Sequence, residues 1–356
     1  MDQDHDASWH ESMLSGVSRT FALTIPQLPT GLRGPVTNAY LLCRIADTIE
    51  DDPLFDEAAK DRFHKTFLEA VESGRGAAEF ARALSPRLAP STLDAEVELI
   101  EESPRVLEVT RALQRRQRRA VVRCLATMSR GMGEYERDRG RGGLTNVVEF
   151  ERYCYFVAGV VGEMLTELFC DYSPEINAKR EFLEMRAVSF GLGLQMTNIL
   201  KDVWDDLDHD TCWLPRDVFD AHGYDLNELT PNHNGSGPAF TASMLDLIGI
   251  THNHLREALG YTLAIPGREA GIRKFLIWAV LLAVSTLGKI AADPLFSSGT
   301  QVKVSRRRVA AIVAMSNTVI RSNFGLTTLF NTAARGLPRD NGNGSPTLAG
   351  KDLRLS

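Results

Sequence analysis

Apolar residues recur with a helical period along almost the whole chain. Stretches with this period predict helices at about 31–51, 55–74, 107–137, 146–170, 177–208, 239–263, 270–292 and 305–334. No segment alternates apolar and polar residues between hairpin turns, so no β-strand is predicted. Proline and glycine punctuation is sparse, and no linker divides the chain. The pattern predicts an all-α single domain over residues 13–336, between a flexible N-terminus (1–12) and a disordered polar tail (337–356).

Composition and charge narrow the class of protein. The chain is 44% hydrophobic and 24% charged, which is typical of a globular protein, and its net charge of -6 argues against nucleic-acid binding. The longest apolar run, 275–287, is too short to cross a bilayer and predicts a buried core helix. Five widely spaced cysteines without a CxxC motif, and an acidic N-terminus, favour a cytoplasmic protein with reduced thiols and without signal peptide or transmembrane segment.

Two pairs of aspartates stand where long apolar helices are predicted to end. Asp47 and Asp51 are four residues apart, and so are Asp202 and Asp206, so each pair shares one helix face. Two such pairs facing each other would hold Mg²⁺, which prefers a few carboxylates together with phosphate oxygens and water. Three further pairs with this spacing occur in the chain, so a solvated helix face remains the alternative for each pair.

Four ordered motifs resemble those of the squalene and phytoene synthases. They are Ser18-Arg-Thr-Phe21, Asp47 to Asp52 with Arg44 before it, Tyr153 to Gly162, and Gln195 to Asp206 followed by Trp213-Leu-Pro215. The resemblance covers roughly residues 15–330. It implies an isoprenoid synthase-type helical bundle with a central active-site cavity, and the 150–170 helix is more similar to that of squalene synthases (farnesyl-diphosphate farnesyltransferases).

The resemblance also implies roles for individual residues. The implied metal ligands are Asp47, Glu50, Asp51, Asn198, Asp202 and Asp206. The implied phosphate-binding residues are Arg19, Arg44 and Lys201. The residues implied to line the substrate pocket are Ser18, Phe21, Tyr40, Val157, Gly191 and Gln195. Tyr153 is assigned to proton transfer. Glycines inside these helices leave room for a C15 chain, although close helix packing explains them nearly as well.

A segment late in the chain is similar to the one that contacts NADPH in squalene synthases. It runs from Gln301 to Val309, and the resemblance assigns cofactor binding to Lys303, Val304 and Arg306. Ser305 and Arg307 depart from the family pattern, and the arginines could simply solvate a helix start. A second departure is the stretch 208–212, which lacks the usual glycine and arginine, so no site residue is expected there.

The implied reaction joins two farnesyl diphosphates head to head, with Mg²⁺ or alternatively Mn²⁺, to give presqualene diphosphate. NADPH-dependent rearrangement then gives squalene for sterol or hopanoid biosynthesis. A dehydrosqualene, phytoene or hydroxysqualene-type synthase without NADPH is the alternative, and a non-catalytic assembly factor of the same fold is a third reading. The polar tail indicates a bacterial-type member without a membrane anchor.

A peripheral membrane contact for product release is a further expectation. The arginines at 111, 115, 116, 118, 119 and 123 form either a solvated helix face or a contact with anionic lipid.

Overall fold

The computed structural model describes residues 3–136, 140, 142–230 and 237–339 of the chain. Within these ranges the fold is all-α, as predicted, and an isolated β-bridge joins Leu144 and Pro215. The chain divides into two compact units. Unit 1 comprises Met1–Arg137 and Met164–Asn177, and unit 2 comprises Asp138–Glu163 and Ala178–Ser356.

Unit 1 is built around the long helix that carries the first aspartate pair. Its helices are α1 (Gln3–Val17), α2 (Arg19–Thr24), α3 (Thr30–Asp51), α4 (Glu57–Ser73), α5 (Ala77–Leu84), α6 (Asp94–Glu101), α7 (Ser103–Ala112) and α8 (Arg115–Glu136). On α3 a run of apolar side chains at helical spacing, from Leu32 to Ile49, is buried in the unit. This burial fixes the register of α3 and leaves its C-terminal turns to present polar groups.

Unit 2 holds the second aspartate pair on its longest helix. Two helices come first, α9 (Val147–Cys154) and α10 (Val160–Tyr172), and α10 continues into unit 1, which also contains α11 (Pro174–Asn177). The remainder are α12 (Arg180–Asp208), α13 (Arg216–Asp220), α14 (Pro238–Ala264), α15 (Ala270–Ala292), α16 (Gly299–Val302), α17 (Arg306–Val319) and α18 (Asn323–Ala333). Helices α12, α14 and α15 pack together, and α15 is buried on nearly every side, as a continuously apolar helix requires.

A π-helical turn, Tyr155–Gly159, interrupts the predicted helix at 146–170 between α9 and α10. Such turns concentrate at functional sites. Gly191 on α12 packs so closely against this turn that a Cβ atom there would collide with the carbonyl oxygen of Ala158. Gly162 lies equally close to the carbonyl oxygen of Ala187. The glycines therefore allow close helix packing here, and the prediction that Gly191 lines a substrate pocket stays a prediction.

Several element boundaries differ from the predicted ones. Helix α1 begins at Gln3, within the segment predicted to be flexible, because Met13, Leu14 and Val17 bury one face of it in unit 1. No helix was predicted over 75–106, where α5, α6 and the start of α7 lie, and the helix predicted at 107–137 is divided between α7 and α8. The helix predicted at 305–334 is broken at 320–322, where the side chain of Ser322 caps α18. Most of the predicted tail, 340–356, lies outside the described residues.

Two helical stretches in the described part of the chain have the length and hydropathy of a membrane span. They are Val147–Tyr172 and Ala270–Ala292, and 67% of the most apolar window of each is buried. This is the burial of core helices, as predicted for the apolar run 275–287.

Candidate active site

The first aspartate pair lies at the C-terminal end of α3. Asp47 and Asp51 are one helical turn apart, and α3 ends at Asp51 with no basic residue in its last turn. The guanidinium of Arg44 lies one turn earlier, with Nη1 3.6 Å from the Asp47 carboxylate. Carboxylates at a helix C-terminus meet the negative end of the helix dipole. The pair is therefore placed where its negative charge is unfavourable unless a cation joins it.

The charge state of Asp47 reflects this placement. Burial, followed by the negative charge of Asp51, raises the pKa of Asp47 to about 7 in spite of the lowering effect of Arg44. The side chain is 34% exposed to solvent, so protein surrounds a carboxylate that a small ion can still reach. A cation bound beside it would favour the ionised form.

Arg44 is held by a residue that the sequence analysis missed. Its Nη2 atom donates to Glu96 Oε1 on α6 at 2.7 Å, and the Glu96 side chain is only 14% exposed. The acidic residue Glu50, a predicted metal ligand, lies instead 3.3 Å from Nε2 of the buried His64 on α4. The prediction that Glu50 binds metal thus competes with an observed contact to His64.

Asp52, which directly follows Asp51, has a different function in the structure. It is 3% exposed and accepts hydrogen bonds from Leu54 N at 2.9 Å, Ala89 N at 2.8 Å and Thr92 Oγ1 at 3.3 Å. Asp51 is exposed. Of two adjacent aspartates, one therefore braces two loops and the other faces solvent at the end of α3.

The predicted SR-x-F segment of unit 1 lies near α3. Ser18 caps α2 by accepting from Phe21 N at 3.1 Å. The ring of Phe21 packs against that of Tyr40 with centroids 4.9 Å apart, and the Tyr40 hydroxyl donates to the Val17 carbonyl at 3.3 Å. Three of the four predicted residues of this part are thus in one cluster, while the Arg19 side chain lies outside the described residues.

The second aspartate pair forms a polar stripe along α12. Gln195, Asn198, Asp202 and Asp206 recur every three or four residues and are half-buried or exposed. Most of the apolar residues between them, such as Leu200, are buried and hold the stripe in place. All four predicted side chains therefore share one face, at the C-terminal half of a helix that ends at Asp208 without a basic residue in its last turn.

A lysine and a backbone segment lie against this stripe. The ammonium of Lys201 is 2.6 Å from Asp202 Oδ2, so a cation already accompanies the predicted metal ligand. At Gly299, a Cβ atom would lie 3.0 Å from the Lys201 carbonyl, 3.1 Å from Asp202 Oδ1 and 3.4 Å from Asp205 Oδ2. The backbone at the start of α16 therefore packs closely against Asp202, the first aspartate of the second pair.

The predicted cofactor segment follows α16. Lys289 Nζ donates to the carbonyls of Gln301 at 3.3 Å and Lys303 at 2.7 Å, which fixes the segment to α15. Lys303 and Arg306 have exposed side chains, and Val304 is half-buried. The three predicted residues thus begin four residues after Gly299, and two of them offer exposed positive charge at the surface of unit 2.

Tyr153 lies in the last turn of α9, also in unit 2. Its ring stacks on Trp213 with centroids 4.0 Å apart and an angle of 8° between the planes. Two residues earlier, the fully buried Glu151 lies 3.3 Å from His254 on α14. Val157 lies in the π-helical turn and is half-buried. Trp213 belonged to the W-L-P motif, but the sequence analysis gave it no role.

The donor chemistry of each pair fits Mg²⁺ in part. Among the described residues, no group of three or more His, Cys, Asp or Glu side chains could hold a metal ion by itself. Each unit offers two carboxylates on one helix face, and Mg²⁺ usually completes its shell with phosphate oxygens and water. The residues present therefore fit a metal that arrives together with a phosphorylated ligand.

Comparison with known proteins decides the family. A family model described as Squalene/phytoene synthase matches residues 14–308. The chain belongs to the squalene/phytoene synthase family. Squalene synthase BSS from Botryococcus braunii is 28% identical over 263 residues, which are 72% of this chain and 52% of that protein. Squalene synthase ERG9 from Candida albicans is 26% identical over 321 residues, or 86% and 66% of the two chains. This family member thus spans about half to two thirds of the length of these relatives.

Solved structures show that the family member has the expected fold. The complex of TcSQS with the ligand E5700 matches with a TM-score of 0.73 at 21% identity, covering 94% of this chain and 99% of that one. A dehydrosqualene synthase in complex with a ligand matches with a TM-score of 0.66 at 20% identity, covering 90% and 98%. The fold is therefore the all-helical isoprenoid synthase-like fold seen in squalene synthase structures.

Proposed function

We propose that the protein is a squalene synthase that condenses two farnesyl diphosphates and reduces the product with NADPH. The observation that carries this proposal is the position of the predicted cofactor segment. Within unit 2, the backbone at Gly299 touches Asp202 and Asp205, and Lys303 and Arg306 follow a few residues later. A nicotinamide cofactor held there would lie beside the diphosphate-binding carboxylates, where a hydride acceptor would form. The named squalene synthase relatives support the same reading.

In the first half-reaction, the chain's own residues bind and orient the diphosphates. The carboxylates of Asp47, Asp51, Asp202 and Asp206 would hold Mg²⁺, which neutralises the charge of the leaving diphosphate. Arg44, fixed by Glu96, would donate to phosphate oxygens in the forked geometry that suits them. Lys201 would do so as a point charge once a metal replaces it beside Asp202.

The carbon chain needs a dry, aromatic-walled environment, because an allylic cation reacts with water. Phe21 and Tyr40 pack together near α3, and Tyr153 with Trp213 forms a second aromatic surface in unit 2. We assign the proton lost on cyclopropane formation to the Tyr153 hydroxyl. A phenol with an ordinary pKa near 10 is a weak base, so released diphosphate must assist it.

In the second half-reaction, Lys303 and Arg306 would bind the cofactor phosphates, and Val304 would pack against an apolar part of it. When bound, NADPH supplies the hydride that converts the rearranged cation into squalene. Ser305 caps α17 by accepting from Arg308 N at 3.3 Å, so the departure from the family pattern at this position has a structural reason.

The alternative is a synthase of the same family that releases an unreduced product. The changed residues at 305 and 307 favour it, because they fall in the predicted cofactor segment, and the stretch 208–212 is a second departure from the family pattern, after the second aspartate motif. A dehydrosqualene synthase shares the fold. The two readings differ only in the fate of the cation formed by the second ionisation.

We further propose a cytoplasmic protein with a peripheral membrane contact for product release. The arginine face of α8 supports this only weakly, because Arg123 pairs with Glu167 and Arg116 lies 3.4 Å from Asp171. Flotation with vesicles of anionic or neutral lipid tests the contact. Binding to neither kind of vesicle would contradict it.

Incubation with farnesyl diphosphate tests the proposed function. With Mg²⁺ and NADPH we expect squalene, and with Mg²⁺ alone we expect presqualene diphosphate. EDTA should stop both reactions. Equal formation of a hydrocarbon with and without NADPH would contradict the cofactor assignment and favour the unreduced alternative.

A further inference from the structure

Trp213 lies flat against Tyr153 in unit 2. The ring centroids are 4.0 Å apart, and the planes are within 8° of parallel. Aromatic pairs left to themselves prefer edge-to-face or offset arrangements. Two rings in such close, nearly parallel contact restrain each other's planes, and the chain holds both sides of this stack.

Backbone pairing holds the tryptophan side. The segment 212–216 is joined on both sides of Trp213 to Gly140 and Leu144. The hydrogen bonds run from Cys212 N to the Gly140 carbonyl (3.0 Å), from Leu144 N to the Leu214 carbonyl (2.9 Å) and from Arg216 N to the Leu144 carbonyl (2.8 Å).

A glycine makes this pairing sterically allowed. Gly143 has a φ of +72°, and a Cβ atom there would collide with the Leu214 carbonyl oxygen. The neighbours of the tryptophan, Cys212 and Leu214, are buried. The backbone that carries Trp213 therefore has little freedom to move away from Tyr153.

A buried polar chain holds the tyrosine side. Glu151, two residues before Tyr153, has no exposed surface and lies 3.3 Å from His254 Nε2. His254 Nδ1 lies 3.2 Å from Ser189 Oγ on α12. Burying ionisable groups costs desolvation energy, and removing one partner of a buried pair strongly destabilises the folded protein. The turn that bears Tyr153 is thereby tied to α12 and α14.

The stack itself is not part of the core. Tyr153 and Trp213 are both half-buried, whereas the core of unit 2 consists of fully buried apolar side chains such as Phe240 and Leu247. Two aromatic rings are thus fixed in a defined plane at an accessible surface.

We propose that Trp213 is a positioning residue for Tyr153. It fixes the plane of the phenol ring, and with it the place from which the hydroxyl meets the proton that is lost in the first half-reaction. This rests on the role given to Tyr153 in the proposed function. Proton transfer requires the two heavy atoms to lie about 2.6–3.2 Å apart, and displacement by about 1 Å can cost 100-fold in rate.

A double-mutant cycle tests the proposal. Trp213→Leu, Trp213→Phe, Tyr153→Phe and the combination of Trp213→Leu with Tyr153→Phe are assayed for presqualene diphosphate formation without NADPH. We expect Trp213→Leu to lower kcat at least tenfold with KM changed less than threefold, and Trp213→Phe to retain most of kcat. In the Tyr153→Phe background, Trp213→Leu should change kcat less than twofold. An equal loss in both backgrounds would overturn the proposal, as would a loss of thermal stability with unchanged kcat.

A second measurement does not depend on activity. The protein is labelled with 3-fluorotyrosine, and the ¹⁹F resonance of Tyr153 is assigned from its absence in Tyr153→Phe. Trp213→Leu should shift this resonance, and Trp213→Phe should shift it less. Trp278→Phe is the matched control, because the buried Trp278 donates to Ser316 Oγ at 2.8 Å on the distant α17.

The two measurements separate the proposal from the proposed function. A Tyr153 resonance unchanged in Trp213→Leu would overturn the positioning of the ring. A wild-type chain that makes no presqualene diphosphate would overturn the proposed function, and with it the reaction that the ring is positioned for. The fluorine shift would then still show whether Trp213 holds Tyr153.

Discussion

The two aspartate pairs have the same spacing on the same kind of helix end but different neighbours. In unit 1, side chains lie against Asp47, since Arg44 bridges it to the mostly buried Glu96, while Asp51 is exposed. In unit 2, Asp202 lies against Lys201 of its own helix and close to the backbone of Gly299. The first pair is therefore held mainly by contacts with other side chains, whereas the second pair also lies close to a segment of backbone.

This difference shows what neighbours add to a repeated pattern. Both pairs lie toward the C-terminal end of a helix that lacks a basic last turn, so both gain from a bound cation. The first pair has its charge state shifted by burial and by its own second aspartate. The second pair adjoins the segment predicted to bind the reducing cofactor. Equal spacing therefore supports the same metal chemistry at both pairs, while the neighbours of the two pairs differ.

The largest expected effect is loss of a motif carboxylate. Asp51→Asn and Asp206→Asn should each lower presqualene diphosphate formation by about 10³-fold, because each removes a charged ligand for Mg²⁺ and diphosphate. Single-turnover assays at saturating Mg²⁺ measure this. Asp208→Asn, an exposed residue at the end of α12, is the control and should be nearly normal. Near-normal rates in both motif variants would show that the pairs are only solvated helix faces.

The next largest effect concerns the cofactor segment, which lies near the second pair only. Replacing both Lys303 and Arg306 by alanine should raise the NADPH concentration needed for squalene formation at least tenfold, since two charged phosphate contacts contribute roughly 1.5–3 kcal/mol each. Presqualene diphosphate formation should not change, because it needs no hydride. Steady-state kinetics in NADPH measure the effect, with Arg321→Ala as an exposed control. Loss of the first half-reaction as well would contradict the assignment of this segment to the cofactor.

A stability measurement distinguishes the adjacent residues Asp51 and Asp52. Asp52→Ala should lower the free energy of unfolding by about 1–3 kcal/mol, because it leaves the buried donor at Ala89 N, and a partly buried one at Leu54 N, without their acceptor. Asp51→Ala should change stability by about 0.5 kcal/mol or less, since its side chain is exposed. Urea unfolding without substrate measures both. A larger loss in Asp51→Ala would reverse the roles given to the two residues.

The smallest expected effect is a pH dependence of the free energy of unfolding that arises from Asp47 in the first pair. The pKa of Asp47 is raised to about 7 in the folded protein, so between about pH 4 and pH 7 the native state binds more protons than the unfolded state. Stability contributed by this group is therefore lost as pH rises through that window. Asp47→Asn should be more stable than wild type by roughly 1–2 kcal/mol at pH 8, a value reduced for the side chain's partial exposure, and no more stable near pH 4.

Urea unfolding in EDTA across this pH range measures the difference. Asp56→Asn, which keeps a capping side chain at the start of α4, serves as the carboxylate control. A stability difference for Asp47→Asn that did not vary with pH would show that the pKa of this carboxyl is not raised.

Local patterns were enough to predict much of this protein. The periodicity predicted α3, α12, α14 and α15 within one to three residues at each end, because each buries a long apolar face whose spacing is visible in the chain. The polar stripe from Gln195 to Asp206 was predictable for the same reason. Helices α5 to α7 were not, because they are short and their ends depend on packing in unit 1.

What the sequence determined by itself was the all-helical class, the two aspartate faces and the family motifs, since these depend on residues within a few turns of each other. Only the tertiary structure decided which partners those residues meet. Glu96 is 52 residues from Arg44, and Trp213 reaches Tyr153 through backbone pairing with the distant Gly140 and Leu144. The spacing pairs Asp51 with Asp47, but nothing in the local pattern distinguishes Asp52 as the residue that braces two loops. Burial and hydrogen bonds to groups remote in the chain make that distinction, because they arise only when separate helices pack together.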